Sequence, residues 1–366
     1  MPAEIVQPKQ RVYVMFGTEG VVGDGARECC AASGTALYKA GLANEFLAEQ
    51  VDPNPVAWKG ALQNPWVDLW MVGRPLVRKA GEYLTLHWIT KNRPEVLEAV
   101  RDDPLNPESY KPLNDLFNSK QDEFKQSGLW AQHDSTKDPN GFYEGGRYAL
   151  QKADMKTWYG LTRPFPGAVQ TLRQLARTRK FGPDGQLLAG FQPAFGTSKD
   201  EPTAFLQCKA WSNDPELMEP GEVDLLPTEH CLIAPYYFMG KETVPSRDKV
   251  DQAKAVAGLA HEAHGSVILV NDQYSQDELD GLTDAGFGIV FLEGGYAFPI
   301  EIAAMQADKR IRCATRESLV EVIGEVAKRR GLAQSSSYPV FPALTEELIP
   351  PWARSDEFRN KLLSLV

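Results

Sequence analysis

Residues 266–271 (Ser-Val-Ile-Leu-Val-Asn) constrain the fold more than any other segment. The run is continuously apolar, too short for a globular helix, and rich in β-branched residues, as strands buried on both faces of a parallel sheet are. Ser275 follows, with Glu278 three residues on, the spacing of a capping box that starts a helix. Residues 288–292 repeat the apolar strand pattern, 299–307 read as helix, 310–314 as strand and 317–330 as helix. Strands alternating with helices predict a doubly wound α/β sheet, mostly parallel.

The amino-terminal half begins the same way. Residues 11–16 (Arg-Val-Tyr-Val-Met-Phe) form an apolar, β-rich run, and a glycine-rich turn from Gly17 to Gly25 leads into a helical pattern closed by Gly41. Strand, glycine turn and helix in that order open a Rossmann-like domain, and Gly17 is the point of close approach to a ligand. The turn is not Gly-x-Gly-x-x-Gly, so it carries no dinucleotide fingerprint. Further strands are expected at 67–72, 83–89, 204–211 and 231–238, and helices at 119–127, 167–180 and 248–263. Residues 102–115, 131–147 and 181–203 read as loops. A chain of 366 residues suits two domains. The expected division is 1–150 and 151–335, with 336–366 packing back across the junction.

A net charge of −10 weighs against nonspecific binding to nucleic acid or to an anionic membrane. No apolar stretch approaches the ~18 residues of a membrane span. Met1-Pro2-Ala3-Glu4 lacks the basic start of a secretory signal. Five cysteines, without Cys-x-x-Cys, form neither a disulfide framework nor a zinc pattern. Free, mostly buried thiols in the cytoplasm are the simplest expectation.

Chemistry is expected where strand 288–292 meets helix 299–307. Gly294 and Gly295 allow a ligand close to the backbone. The helix start favours an anion, and Glu293 and Glu301 stand at the turn and in the first helical turns. Two solvated carboxylates favoured by the helix dipole would also give this pattern.

Glu293, seven residues, Glu301, then Ile-Ala-Ala-Met resembles the Glu-x7-Glu motif of retaining GT-B glycosyltransferases, of the family 4-like group. Ser275-Gln-Asp-Glu-Leu-Asp-Gly-Leu and Ser318-Leu-Val-Glu-Val-Ile-Gly resemble the flanking segments of that family, so the resemblance covers residues 266–327. It implies two facing Rossmann-like domains and transfer of a sugar from a nucleotide-sugar donor to an acceptor that the sequence does not name. It also implies retention of configuration, with no cofactor and no dissociable metal. It gives Glu293 the transferred sugar and Glu301 the nucleotide ribose. His87, closing the run Leu84-Thr85-Leu86, would face the sugar as a strand-end histidine, although a satisfied half-buried histidine fits as well. Lys209, Lys241, Arg247 and Lys249 are candidates for the diphosphate, whose departure needs cations.

The sequence departs from that family where Pro299 is shifted by one position and where the diphosphate-binding Arg and Lys lack clean counterparts. The Gly-Gly turn with a helical Glu also resembles nucleoside deoxyribosyltransferases and phosphoribohydrolases, without their Gly-Thr. Residues 146–168 resemble a segment of folate-dependent formyltransferases, without their catalytic Asn-x-His. A non-catalytic nucleotide- or partner-binding protein is the remaining alternative.

Overall fold

The structure is a computed structural model. It describes residues 11–49, 51, 64–134, 142–176, 178, 180–181, 187–197, 203, 207, 210–211, 232–234, 248–260 and 264–330. These divide into two compact units. A sheet unit takes its residues from 1–23, 164–297 and 303–366, and a helical unit from 24–163 and 298–302.

One sheet carries every described strand: β1 (Arg11–Gly17), β2 (Lys180–Phe181), β3 (Leu187–Gly196), β4 (Leu232–Ala234), β5 (Val267–Asn271), β6 (Gly288–Leu292) and β7 (Arg312–Ala314). The order is β2-β3-β1-β5-β6-β7, with β4 also on β3. All pairings are parallel except the short β2–β3 contact. β1, β5 and β6 are buried along their whole length, which is why their apolar runs are unbroken.

This sheet confirms the α/β, mostly parallel expectation and overturns the two facing GT-B domains. β1 pairs directly with β5, Tyr13 opposite Val267 and Phe16 opposite Val270. The strand expected to found one Rossmann-like domain is therefore a central strand of the same sheet that holds 266–327. A GT-B enzyme needs those segments in separate sheets.

Other expectations fail locally. Residues 67–72 and 83–89 belong to helices Pro65–Gly73 and Glu82–Asn92, not strands. Both helices are buried on most sides, so their apolar residues show no single stripe. The first carries its own start signal, since the Asn64 side chain accepts from the Trp66 N–H and Pro65 follows the cap. The same Asn-Pro device opens helix Pro107–Gln126 inside the expected loop 102–115. Helices Leu129–His133 and Phe142–Ala153 occupy much of 131–147. β3 lies in the expected loop 181–203, where Gly190, Pro193 and Gly196 disguise a strand; β4 pairs with it only from Ala194 onward. Thr203, Gln207, Ala210 and Trp211 are helical, where a strand was expected over 204–211. Of the strand expected over 231–238, residues 232–234 are present as β4.

In the helical unit, helix Ala26–Lys39 packs on helix Phe142–Ala153. A Cβ on Gly146 would stand 2.2 Å from the Ala32 carbonyl oxygen, so glycine sets how closely the two backbones approach. Among the described residues no helix is long and apolar enough to cross a membrane.

Candidate functional site at the carboxyl end of the sheet

In an open parallel sheet, ligands bind beyond the carboxyl ends of the strands, where the winding reverses. Here β1 is followed on one side by β3 and β4, and helix Lys249–Ala260 then carries the chain to β5 on the other side. The reversal falls between β1 and β5. The residues at that point are Gly17 at the end of β1 with Thr18 after it, and Asn271 at the end of β5 with Asp272 after it.

β1 ends without a side chain. A Cβ on Gly17 would lie 2.5 Å from Asn271 Oδ1, so the amide of Asn271 fills the space beside it. The Asn271 Nδ2 donates to the Gln273 carbonyl. Thr18 Oγ1 donates to Thr197 Oγ1 at 2.9 Å, and both threonines are buried, so the ends of β1 and β3 are tied by hydroxyls. Lys249, the first residue of its helix, donates from Nζ to the Gly196 carbonyl at 3.2 Å and to Gln252 Oε1 at 3.2 Å. A cation and a helix amino terminus thus meet the end of β3.

Asp272, directly after β5, is 3% exposed. Its Oδ2 accepts the Tyr296 N–H at 2.7 Å. Asp272 belongs to no group of three or more His, Cys, Asp or Glu side chains that could hold a metal ion among the described residues. Glu19, half-buried, lies on the loop directly after β1.

The residues singled out in the sequence are distributed as follows. Gly294 and Gly295 form the turn after β6. Gly294 has φ +85 with nothing within 4 Å of an added Cβ, while at Gly295 that Cβ would meet Asp272 Cβ at 2.2 Å. The close approach that Gly295 permits is to the chain's own aspartate. Glu293 accepts from Gln306 Nε2 at 2.8 Å and is part of the sheet unit. Glu301 clusters with the helical unit, accepts the Phe298 N–H at 2.9 Å, and stands 3.8 Å from Arg78. His87 ends no strand. It is fully buried in helix Glu82–Asn92, stacked on Trp66 at 5.5 Å, and its pKa is held well below the usual histidine value, first by burial and then by His133. Lys209, Lys241 and Arg247 lie outside the described residues, as do 336–366. Burial pushes the Cys30 thiol up and Cys313 to about 11, so neither is an activated thiolate. Thr18, Thr197, Asn271 and Asp272 were missed, although Asn271 and Asp272 close the apolar run of β5, where a strand-end rule could have found them.

No protein-family model and no curated protein matches the chain. Solved structures similar to it include a haloacid dehalogenase-like hydrolase from Streptococcus pneumoniae, at 12% identity and TM-score 0.40 over 85% of this chain and 98% of that one. A haloacid dehalogenase-like family hydrolase from Xanthomonas campestris shares 9% identity at TM-score 0.39, over 88% and 99% of the two chains. A defluorinating L-2-haloacid dehalogenase shares 14% at TM-score 0.34, over 85% and 94%. These likenesses are too distant to carry an argument about activity.

The glycosyltransferase reading is nevertheless corrected. β1 and β5 pair in one sheet, whereas a GT-B enzyme would hold those segments in two facing domains with the nucleotide-sugar and its acceptor between them. The nucleotide-sugar donor falls with it. The likeness to nucleoside deoxyribosyltransferases and phosphoribohydrolases rested on the Gly294-Gly295 turn with a helical Glu, and at Gly295 an added Cβ would meet Asp272.

Proposed function

We propose that this protein is a hydrolase that receives a small phosphate ester at the crevice between the carboxyl ends of β1 and β5. The observation that supports this most is the meeting of Lys249, at the first residue of its helix, with the end of β3. A helix amino terminus and an ammonium together favour an anion, and phosphate is the common one in such crevices. The hydroxyls of Thr18 and Thr197 add polar groups at the same edge.

Gly17 offers no nucleophile at the end of the central strand, so water attacks phosphorus directly. The attacking water loses a proton to a carboxylate, the bond from phosphorus to the ester oxygen breaks, and the same carboxylate passes its proton to the departing oxygen, giving the alcohol and inorganic phosphate. We assign the base to Glu19, which is half-buried on the loop leaving β1. Asp272 is occupied in holding Tyr296 and serves the architecture. The free thiols Cys29, Cys30 and Cys313 accord with a reducing, cytoplasmic setting.

The test is steady-state hydrolysis of p-nitrophenyl phosphate and a panel of sugar phosphates, with and without added divalent cations. Lys249→Ala is expected to raise KM, and Glu19→Gln to lower kcat by roughly 10²–10⁴-fold. Absence of turnover by the wild type on every ester, or wild-type rates in both variants, overturns the reading.

A further inference from the structure

Arg316 sits on the loop after β7, with no apolar pattern or motif to mark it, yet it touches both walls of the crevice. Its Nη1 donates to the Val21 carbonyl at 2.6 Å, and its Nη2 to the Gly20 carbonyl at 3.2 Å and the Gly294 carbonyl at 3.4 Å. Its guanidinium carbon lies 3.9 Å from the centre of the Phe165 ring. Phe165 is itself tied to the first wall, its N–H donating to the Val22 carbonyl at 2.8 Å. The void bordered by Arg316, Phe16, Val21 and Thr171 is about 10 Å³, room for one water at most, so the loop packs down closely here.

We propose that Arg316 is a positioning residue that latches the β1 loop (18–23) to the β6 turn (293–297) and so sets the width of the crevice. This deepens the hydrolase reading and rests on it only for the ligand. A guanidinium suits the task because its donors lie in one rigid plane while its face stacks on an aromatic ring. An ammonium has neither the fork nor the face. Gly20 and Gly294 both have left-handed backbone, with φ of +79 and +85, and both turn their carbonyls to this one side chain. Asp272 also bridges these two walls, accepting the Tyr296 N–H and standing against Gly20. With latch and aspartate both in place, the two loops form one edge of fixed width, able to hold a phosphate group at a set distance from Glu19.

The experiment compares the wild type with Arg316→Ala, Arg316→Lys and Phe165→Leu in amide hydrogen exchange and in titration calorimetry with inorganic phosphate. The Gly23 N–H, bonded to the Thr18 carbonyl at 2.7 Å, reports on the first wall. The Tyr296 N–H, bonded to Asp272, reports on the second. Both are expected to exchange at least tenfold faster in Arg316→Ala, with core amides of β5 unchanged. Arg316→Lys is expected to match the alanine variant within threefold, and phosphate affinity to fall tenfold or more in both. Phe165→Leu keeps the fork, so it should loosen both walls by a smaller factor. It also serves as the variant to read if Arg316→Ala fails to fold. Unchanged exchange at either reporter overturns the latch, as does full protection in the lysine variant, which would mean that charge alone suffices. If the wild type binds no phosphate, the hydrolase reading fails, while the exchange arms still decide the latch.

Discussion

The carboxylate of Asp272 occupies the space that any side chain on Gly20 would need: a Cβ there would lie 1.9 Å from Asp272 Oδ2. The loop after β1 and the residue after β5 therefore interlock, and the interlock depends on a left-handed glycine.

Gly20→Ala should destabilise the sheet unit through two separate effects. Left-handed backbone costs a non-glycine residue about 1–2 kcal/mol. Overpacking against a buried group adds about 1–3 kcal/mol. Gly294→Ala is the control, because its φ of +85 carries the backbone cost with nothing nearby to strike. Urea unfolding of both variants should show the larger loss at Gly20, and equal losses would mean that Asp272 moves aside freely.

Arg147 joins two buried carboxylates in the helical unit. Its Nε donates to Glu28 Oε1 at 2.8 Å and its Nη1 to Glu144 Oε2 at 2.8 Å, with all three side chains no more than 2% exposed. Tyr143 hydroxyl accepts from Nη2 at 2.8 Å, and Trp158 Nε1 donates to Glu28 Oε1 at 3.3 Å. Arg147→Met strands two carboxylates in a dry interior and should cost about 3–5 kcal/mol. Adding Glu28→Gln to it should recover part of that loss in a double-mutant cycle on denaturation midpoints. Additive losses would show that the charges are not coupled.

His133 gives the helical unit an acid limit. It is fully buried, hydrogen-bonded to Ser33 at 2.9 Å, and burial lowers its pKa to about 3. The unfolded chain, with an ordinary histidine pKa of about 6.5, binds more protons than the native one between those values. Stability is therefore undiminished above about pH 6.5 and falls as pH drops toward 3, by at most about 1.4 kcal/mol per pH unit for one group. His87, lowered in the same direction and without a partner for either ring nitrogen, adds to the fall. His133→Gln should flatten the dependence of thermal midpoint on pH across that window, and an unchanged slope would assign the acid sensitivity to other groups.

The hydroxyl tie between Thr18 and Thr197 should appear as a coupling. Thr18→Val and Thr197→Val are each expected to cost about 1 kcal/mol, and the double variant less than their sum. Strict additivity in urea unfolding would mean that the 2.9 Å contact contributes nothing of its own.

Local pattern was enough for β1, β5 and β6 and for the Ser275–Glu278 capping box, whose two hydrogen bonds are both made. It was enough for the start of helix Lys249–Ala260, and so for the position of Lys249. It misled at 67–72 and 83–89, because a helix buried on most sides shows little polar face, and a short apolar run then reads equally as strand. Asn64-Pro65 and Asn106-Pro107 were the signals that could have corrected this, being helix caps written in the chain itself.

What the sequence by itself determined is the inventory: strands that must be buried on both faces, glycines that end them, and a lysine that starts a helix. Only the tertiary structure decided that β1 lies between β3 and β5, so that the first strand shares a sheet with residues 266–327. Strand order is set by long-range pairing and by the packing of helices on both faces, and neither leaves a period in the sequence. The candidate site follows from that order. The side chain beside Gly17 is that of Asn271, and the one beside Gly295 is that of Asp272, and neither pairing is legible in the sequence. Residues so distant in the chain meet because the register of parallel strands brings their carboxyl ends to one edge.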